Sequence, residues 1–228
     1  MKKLFLHMPK CAGSSVLSML EAAVPQLLDR DYQSYFRIPR PERNQVLLED
    51  LLHPRSVAGG RIVYGHFFPV KYIGQGTSLD FRLVTILRDP IARLQSHYKF
   101  WNAGDFSDHY LWRKMKLERW TFEDFAFSEE MRNFYAQHFS QVSLGAFAFI
   151  GLYENLDYSV DRCFEVLGIS RPAISSVPKV NVTPPRTSID LSPDAMKKLK
   201  AHHSDDYLIY EFARRRFHVQ SQPVPPRP

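Results

Sequence analysis

Between His7 and Ser15 the chain reads His-Met-Pro-Lys-Cys-Ala-Gly-Ser-Ser, a stretch with the residue types that an anion needs. Lys10 supplies a full positive charge, Gly13 allows close backbone approach, and Ser14 and Ser15 add hydroxyls. Apolar residues Val16, Leu17, Leu20 and Val24 then fall on one helical face. Backbone N–H groups at a helix N-terminus favour an anion, so Lys10, Cys11, Ala12, Gly13, Ser14 and Ser15 form a candidate phosphate cradle. It is not a Walker A loop, whose lysine comes late and after a second glycine. The plainer alternative is a surface loop with an incidental lysine.

Two further segments carry chemistry. In Leu87–Ser96 (LRDPIARLQS), Arg88 precedes an Asp-Pro helix start, and Ser96 falls roughly 9 Å along that helix. A long arginine spans that gap, so both side chains can grip one phosphate beside the helix. The alternative is an Arg88–Asp89 surface pair with an unremarkable serine. His66, in Tyr64-Gly65-His66-Phe67, has a side chain suited to a general base near neutral pH. A lone histidine among nine is otherwise a structural residue.

The elements that must position these residues are legible. Leu4–Leu6, Arg61–Gly65, Phe81–Leu87 and Ala148–Tyr153 read as strands, and helical patterns alternate with them. That alternation predicts an α/β fold, a parallel β-sheet flanked by helices on both faces. Ligands of such sheets sit at the carboxyl ends of the strands, and each candidate segment directly follows one. Two separate anion grips plus a candidate base suit a ligand bearing phosphates at both ends and an acceptor hydroxyl between. Pro178–Pro193 reads as a long loop, and Leu191-Ser192-Pro193-Asp194 opens a last helix running to about Arg216. Residues 1–217 are expected to form one domain and 218–228 a flexible Pro-rich tail.

Composition excludes several classes. At 228 residues with 44% apolar and 24% charged content, the chain is neither disordered nor membrane-spanning by composition. The net charge is +6, but Arg214, Arg215, Arg216 and Arg227 supply four of those charges at one end. The body therefore lacks the clustered cations of a nucleic-acid surface. Cys11 and Cys163 are the only cysteines, which fits neither a disulfide framework nor a zinc site. Cys163 reads as core, and Cys11 as loop packing or a thiol activated at a helix start. His202-His203 reads as a solvated helix face, and Glu154 as part of a structural ion pair. With no signal peptide or apolar span in view, the expectation is a cytoplasmic protein without stable membrane insertion.

His7–Ser15 together with Leu87–Ser96 resembles the sulfotransferases that use 3′-phosphoadenosine 5′-phosphosulfate (PAPS). The first segment is similar to that family's 5′-phosphosulfate loop and the second to its 3′-phosphate motif. Tyr64-Gly65-His66 is similar to the catalytic-histidine region of the heparan and chondroitin/dermatan 2-O-sulfotransferase branch and its bacterial relatives. Cys11 and Ala12 stand where the family commonly has Thr and Gly or Ala, Ser14 where threonine is frequent, and Tyr64 where the 2-O branch often has a second histidine. The resemblance implies a P-loop NTPase-like sulfotransferase fold that takes PAPS and releases adenosine 3′,5′-bisphosphate (PAP), without a metal. It makes Lys10 and His66 catalytic and places Lys10, Cys11, Ala12, Gly13, Ser14, Ser15, Arg88 and Ser96 on the donor. The acceptor is a hydroxyl, expected on a saccharide, in a cleft walled by residues 67–80 and 104–145. Lys179, Asn181, Thr183 or Arg186 would come from a late loop over the nucleotide. The rival readings are a P-loop-type kinase or NTPase, which predicts a late-loop lysine and a Mg²⁺ acid, and a non-catalytic nucleotide-binding module, for which Lys10 and His66 are dispensable.

Overall fold

The computed structural model describes residues 1–32, 38–73, 80–139, 142–172, 176–178, 180 and 189–221. The chain opens with β1 (Lys2–Leu6), α1 (Gly13–Ala23), β2 (Leu28–Asp31), α2 (Arg40–Leu52) and β3 (Ile62–Gly65). Next come α3 (Val70–Ile73), β4 (Phe81–Leu87) and α4 (Pro90–Ala103). Three short helices, α5 (Tyr110–Leu117), α6 (Phe122–Ala126) and α7 (Phe134–Phe139), lead to β5 (Phe147–Leu152) and α8 (Leu156–Leu167). Helices α9 (Pro193–His202) and α10 (Ser204–Ser221) follow.

The five strands make one sheet in the order β2-β3-β1-β4-β5, and every pairing is parallel. Leu83, Val84, Thr85, Ile86 and Leu87 are all buried in succession. Successive side chains point to opposite faces, so helices must cover both sides of β4. This is the α/β architecture that the alternating pattern predicts. The Asp-Pro signal also acts as expected: the Asp89 side chain accepts from Ala92 N, and Pro90 takes the first turn of α4.

The strand order positions the candidate residues. The chain builds β2 and β3 on one side of β1, then crosses to place β4 and β5 on the other. That reversal opens a crevice at the carboxyl ends of β1 and β4. β3, β1 and β4 are neighbours, spaced about 4.8 Å apart, so the segments that follow them project from one short stretch of the same edge.

Three features depart from the sequence pattern. The edge strand β2 (Leu-Asp-Arg-Asp) has no apolar alternation, yet its charges have partners. Asp29 accepts from Arg61 Nε at 2.7 Å. Asp31 accepts from Lys71 Nζ at 2.5 Å and Tyr72 Oη at 2.6 Å, with Lys71 fully buried. The expected last helix breaks at His203 into α9 and α10, and His203 is fully buried rather than solvated. Its Nε2 donates to Ala126 O at 2.9 Å and its Nδ1 accepts from Asn133 N. Burial brings its pKa down to about 4. Finally, α10 continues to Ser221, past residue 217, while 222–228 lie outside the described residues. No helix of the described residues is long and apolar enough to cross a membrane.

Gly65 ends β3 with φ +159°, and a Cβ there would lie 1.7 Å from the Asp31 carbonyl oxygen on the neighbouring strand. Backbone cannot give way as a side chain can. Gly65→Ala should cost about 3–5 kcal/mol in chemical denaturation; a loss under about 1 kcal/mol would mean that β2 does not pack against β3 this closely.

Candidate active site at the carboxyl edge of the sheet

The loop after β1 turns sharply. Lys10 and Ala12 both have left-handed backbones, φ +67° and +65°, with Cys11 between them outside that region. Each such non-glycine residue costs about 1 kcal/mol, a strain typical of ligand-holding loops. Ala12 is the N-cap of α1 and offers no capping side chain. Ser15 N and Val16 N turn back to Ala12 O, and Cys11 N to Met8 O. The Ala12 and Gly13 N–H groups have no acceptor among the described residues. An alternating backbone followed by an uncapped helix start is an anion-favouring concavity. Gly13 is required because the His7 ring lies on it: a Cβ would come within 1.6 Å of His7 Nε2.

Lys10 reaches across to α4, its Nζ 3.7 Å from the centroid of the Phe100 ring. Ser96 and Phe100 are four residues apart on α4 and so share a face. Lys10 therefore lies over the helix face that carries Ser96. Burial first, and the neighbouring Arg88 charge second, bring the Lys10 pKa down to about 8. Cys11 points the other way and is buried. Burial pushes its thiol up to about 11, so it packs the loop and is not an activated thiolate. Ser15 is also buried, and its Oγ accepts from Val180 N at 3.2 Å.

Arg88 extends from the end of β4. Its Nη1 lies 3.5 Å from Lys10 O, and its guanidinium stacks 4.2 Å from the centroid of the Tyr153 ring. Asp89 does not pair with it, because that carboxylate caps α4. Glu154 accepts from Asp89 N at 2.9 Å, a hydrogen bond in place of the expected ion pair. Tyr135, from α7, hydrogen-bonds both the N–H and the C=O of Arg88. Beneath both segments, the fully buried Arg93 guanidinium makes no hydrogen bond among the described residues and lies 4.2 Å from the Phe134 ring centroid.

His66 completes the row. Its Nδ1 lies 2.6 Å from His7 O. A carbonyl only accepts, so Nδ1 carries the proton and the basic nitrogen is Nε2. The His7 ring is 4.3 Å from the His66 ring, and Tyr32 at the end of β2 meets it edge-on at 5.0 Å. Burial, then the charges of His66 and Lys10, holds the His7 pKa well below the usual range.

Lys10, Arg88 and His66 thus lie along one rim, linked through Lys10 O and His7 O. Ser14 stands in the first turn of α1 at the same end, while Cys11 and Ser15 turn inward. Lys179, Asn181, Thr183 and Arg186 lie outside the described residues, although Val180 touches Ser15 and Ile189 O accepts from Gln95 Nε2 at 3.0 Å. Residue type alone does not single out the His7 ring, the Tyr153 stack or Tyr135. His7 and Tyr153 have a positional signal, since each adjoins a strand end, but Tyr135 has none. A cleft of about 460 Å³ is lined by residues of α2, α7 and the start of α10 together with Phe68, Glu129 and Arg132, and none of Lys10, His66 and Arg88 lines it. Among the described residues no three His, Cys, Asp or Glu side chains gather as a metal set.

No protein-family model matches the chain, and no curated protein matches its sequence significantly. Among solved structures it is similar to a sulfotransferase from Alicyclobacillus acidocaldarius, at 18% identity and a TM-score of 0.43, over 92% of this chain and 94% of that one. It is also similar to the mouse sulfotransferase SULT7A1 complexed with PAP, at 13% identity and a TM-score of 0.36, over 90% of this chain and 64% of that one.

Proposed function

We propose that the chain is a PAPS-dependent sulfotransferase acting on a hydroxyl acceptor, with a carbohydrate as the acceptor class. The observation that carries the reading is the row Arg88–Lys10–His66 across three adjacent strand ends, with an uncapped helix start two residues past Lys10. Arg88 and Ser96 hold the 3′-phosphate. Lys10 and the Ala12 and Gly13 amides, with the Ser14 hydroxyl, hold the 5′ end. The acceptor oxygen forms a bond to sulfur as the bond from sulfur to the 5′-phosphate oxygen breaks, and that electron pair stays on the leaving phosphate. Lys10 neutralises the charge developing there, and His66 Nε2 takes the acceptor proton. The depressed pKa of His7 keeps the adjacent ring neutral, so it does not oppose the imidazolium forming 4.3 Å away. Positioning and electrostatics supply the rate, as in other transfers between oxygens.

The carbohydrate rests on the Tyr64–His66 likeness. The reading is tested by incubating the protein with PAPS and a panel of saccharide, phenol and steroid alcohols, followed by mass spectrometry. PAPS-dependent gain of one SO₃ on a saccharide is expected. Sulfation of phenols or steroids alone would remove the carbohydrate assignment, and no sulfated product with any acceptor would count against the enzyme.

A further inference from the structure

Tyr135 lies 47 residues from Arg88 and 124 from Cys11 in sequence, yet its hydroxyl meets both. The ring is fully buried. The hydroxyl donates to Arg88 O at 2.7 Å, accepts from Arg88 N at 3.2 Å, and lies 3.6 Å from Cys11 Sγ. One oxygen thus joins the end of β4 to the underside of the loop after β1. One proton and two lone pairs suffice for all three contacts. Tyr135 is held in turn: Asp206, fully buried on α10, accepts from Tyr135 N at 2.8 Å and Ala136 N at 3.1 Å at the start of α7. Glu154 fixes the next backbone amide, that of Asp89, and Tyr153 fixes the direction of the Arg88 guanidinium.

We infer that Tyr135 is a positioning residue that couples the two anion-binding segments, so that Lys10 and Arg88 read the two ends of the donor nucleotide as a unit. It acts through Arg88 and Cys11 and touches no ligand itself. The inference rests on the sulfotransferase reading, because it needs a ligand anionic at both ends. Removing one oxygen in Tyr135→Phe leaves the buried ring in place but strands the two backbone groups of Arg88.

The experiment is calorimetric titration with PAP of wild type, Lys10→Met, Arg88→Met and the double variant, each with and without Tyr135→Phe. Tyr135→Phe should weaken PAP binding about 10-fold, and raise the KM for PAPS in parallel while kcat changes less than about 3-fold. The non-additivity of the Lys10 and Arg88 effects should be largest when Tyr135 is present and should shrink in the Tyr135→Phe background to what the direct Arg88–Lys10 contact and their charge repulsion leave. Cys11→Ala severs the same link from its other end and must also reduce the non-additivity, which keeps the test open should Tyr135→Phe not fold. Unchanged PAP affinity in Tyr135→Phe, or the same non-additivity in both backgrounds, would overturn the inference while leaving the sulfotransferase reading intact. Failure of the wild type to bind PAP would overturn both.

Discussion

Replacing Lys10 by alanine is expected to lower PAPS-dependent turnover about 10³-fold, at the upper end of what one pre-placed charge contributes to a transition state. The reason lies in its placement. Lys10 has a strained backbone at the turn between β1 and α1, and its ammonium is partly withdrawn from water beside Arg88. Two cations held together are costly unless an anion joins them. Their proximity also sets a pH dependence. With its pKa brought down to about 8, Lys10 loses its charge in the free protein as the pH rises through that value. The charged form binds the nucleotide, so above the range near pH 6 where the phosphates of PAP themselves titrate, PAP affinity should hold until about pH 8 and then fall. Lys10→Arg, which stays charged, should abolish the fall. Turnover of Lys10→Ala within about 3-fold of wild type, or the same alkaline fall in Lys10→Arg, would take Lys10 out of the chemistry.

His66→Ala should lose about 10²–10³-fold in kcat, the range of a general base, with PAP affinity within about 2-fold of wild type. The split is expected because the proposed mechanism gives His66 the acceptor proton and Lys10 and Arg88 the donor nucleotide. His66→Asn makes the assignment sharper. Its amide nitrogen can replace Nδ1 as the donor to His7 O, so the local scaffold is kept while the basic Nε2 is lost. Both variants should be equally slow. An asparagine variant with near-wild-type kcat would make His66 a scaffold residue only, and the base would have to be sought elsewhere.

The parallel sheet can be read from the chain because its central strands are continuous apolar runs between helical patterns. Phe81–Leu87 is the clearest case, buried at six of seven positions and bounded by an Asp-Pro helix start. β2 is illegible for the opposite reason. Leu-Asp-Arg-Asp has no apolar periodicity, and it pairs at the sheet edge because Arg61 and Lys71, 32 and 40 residues away, meet its carboxylates. His203 likewise reads as polar and exposed until Ala126 O and Asn133 N, from distant segments, take up both ring nitrogens. At the site, Lys10, His66 and Arg88 are legible because each follows a strand and the topology gathers strand ends. Tyr135 is not, since it sits in a polar-aromatic stretch with no strand beside it and its role depends only on where α7 docks.

The central claim is that Lys10 and Arg88 grip the opposite ends of one nucleotide, and the most direct test compares PAP with 5′-AMP by thermal shift on the wild-type protein. PAP at about 100 times its Kd should raise stability by about 2.7 kcal/mol, and 5′-AMP at the same concentration should raise it far less. In Arg88→Met that preference for PAP should disappear. Equal stabilisation of the wild type by both nucleotides, or by neither, would contradict the account.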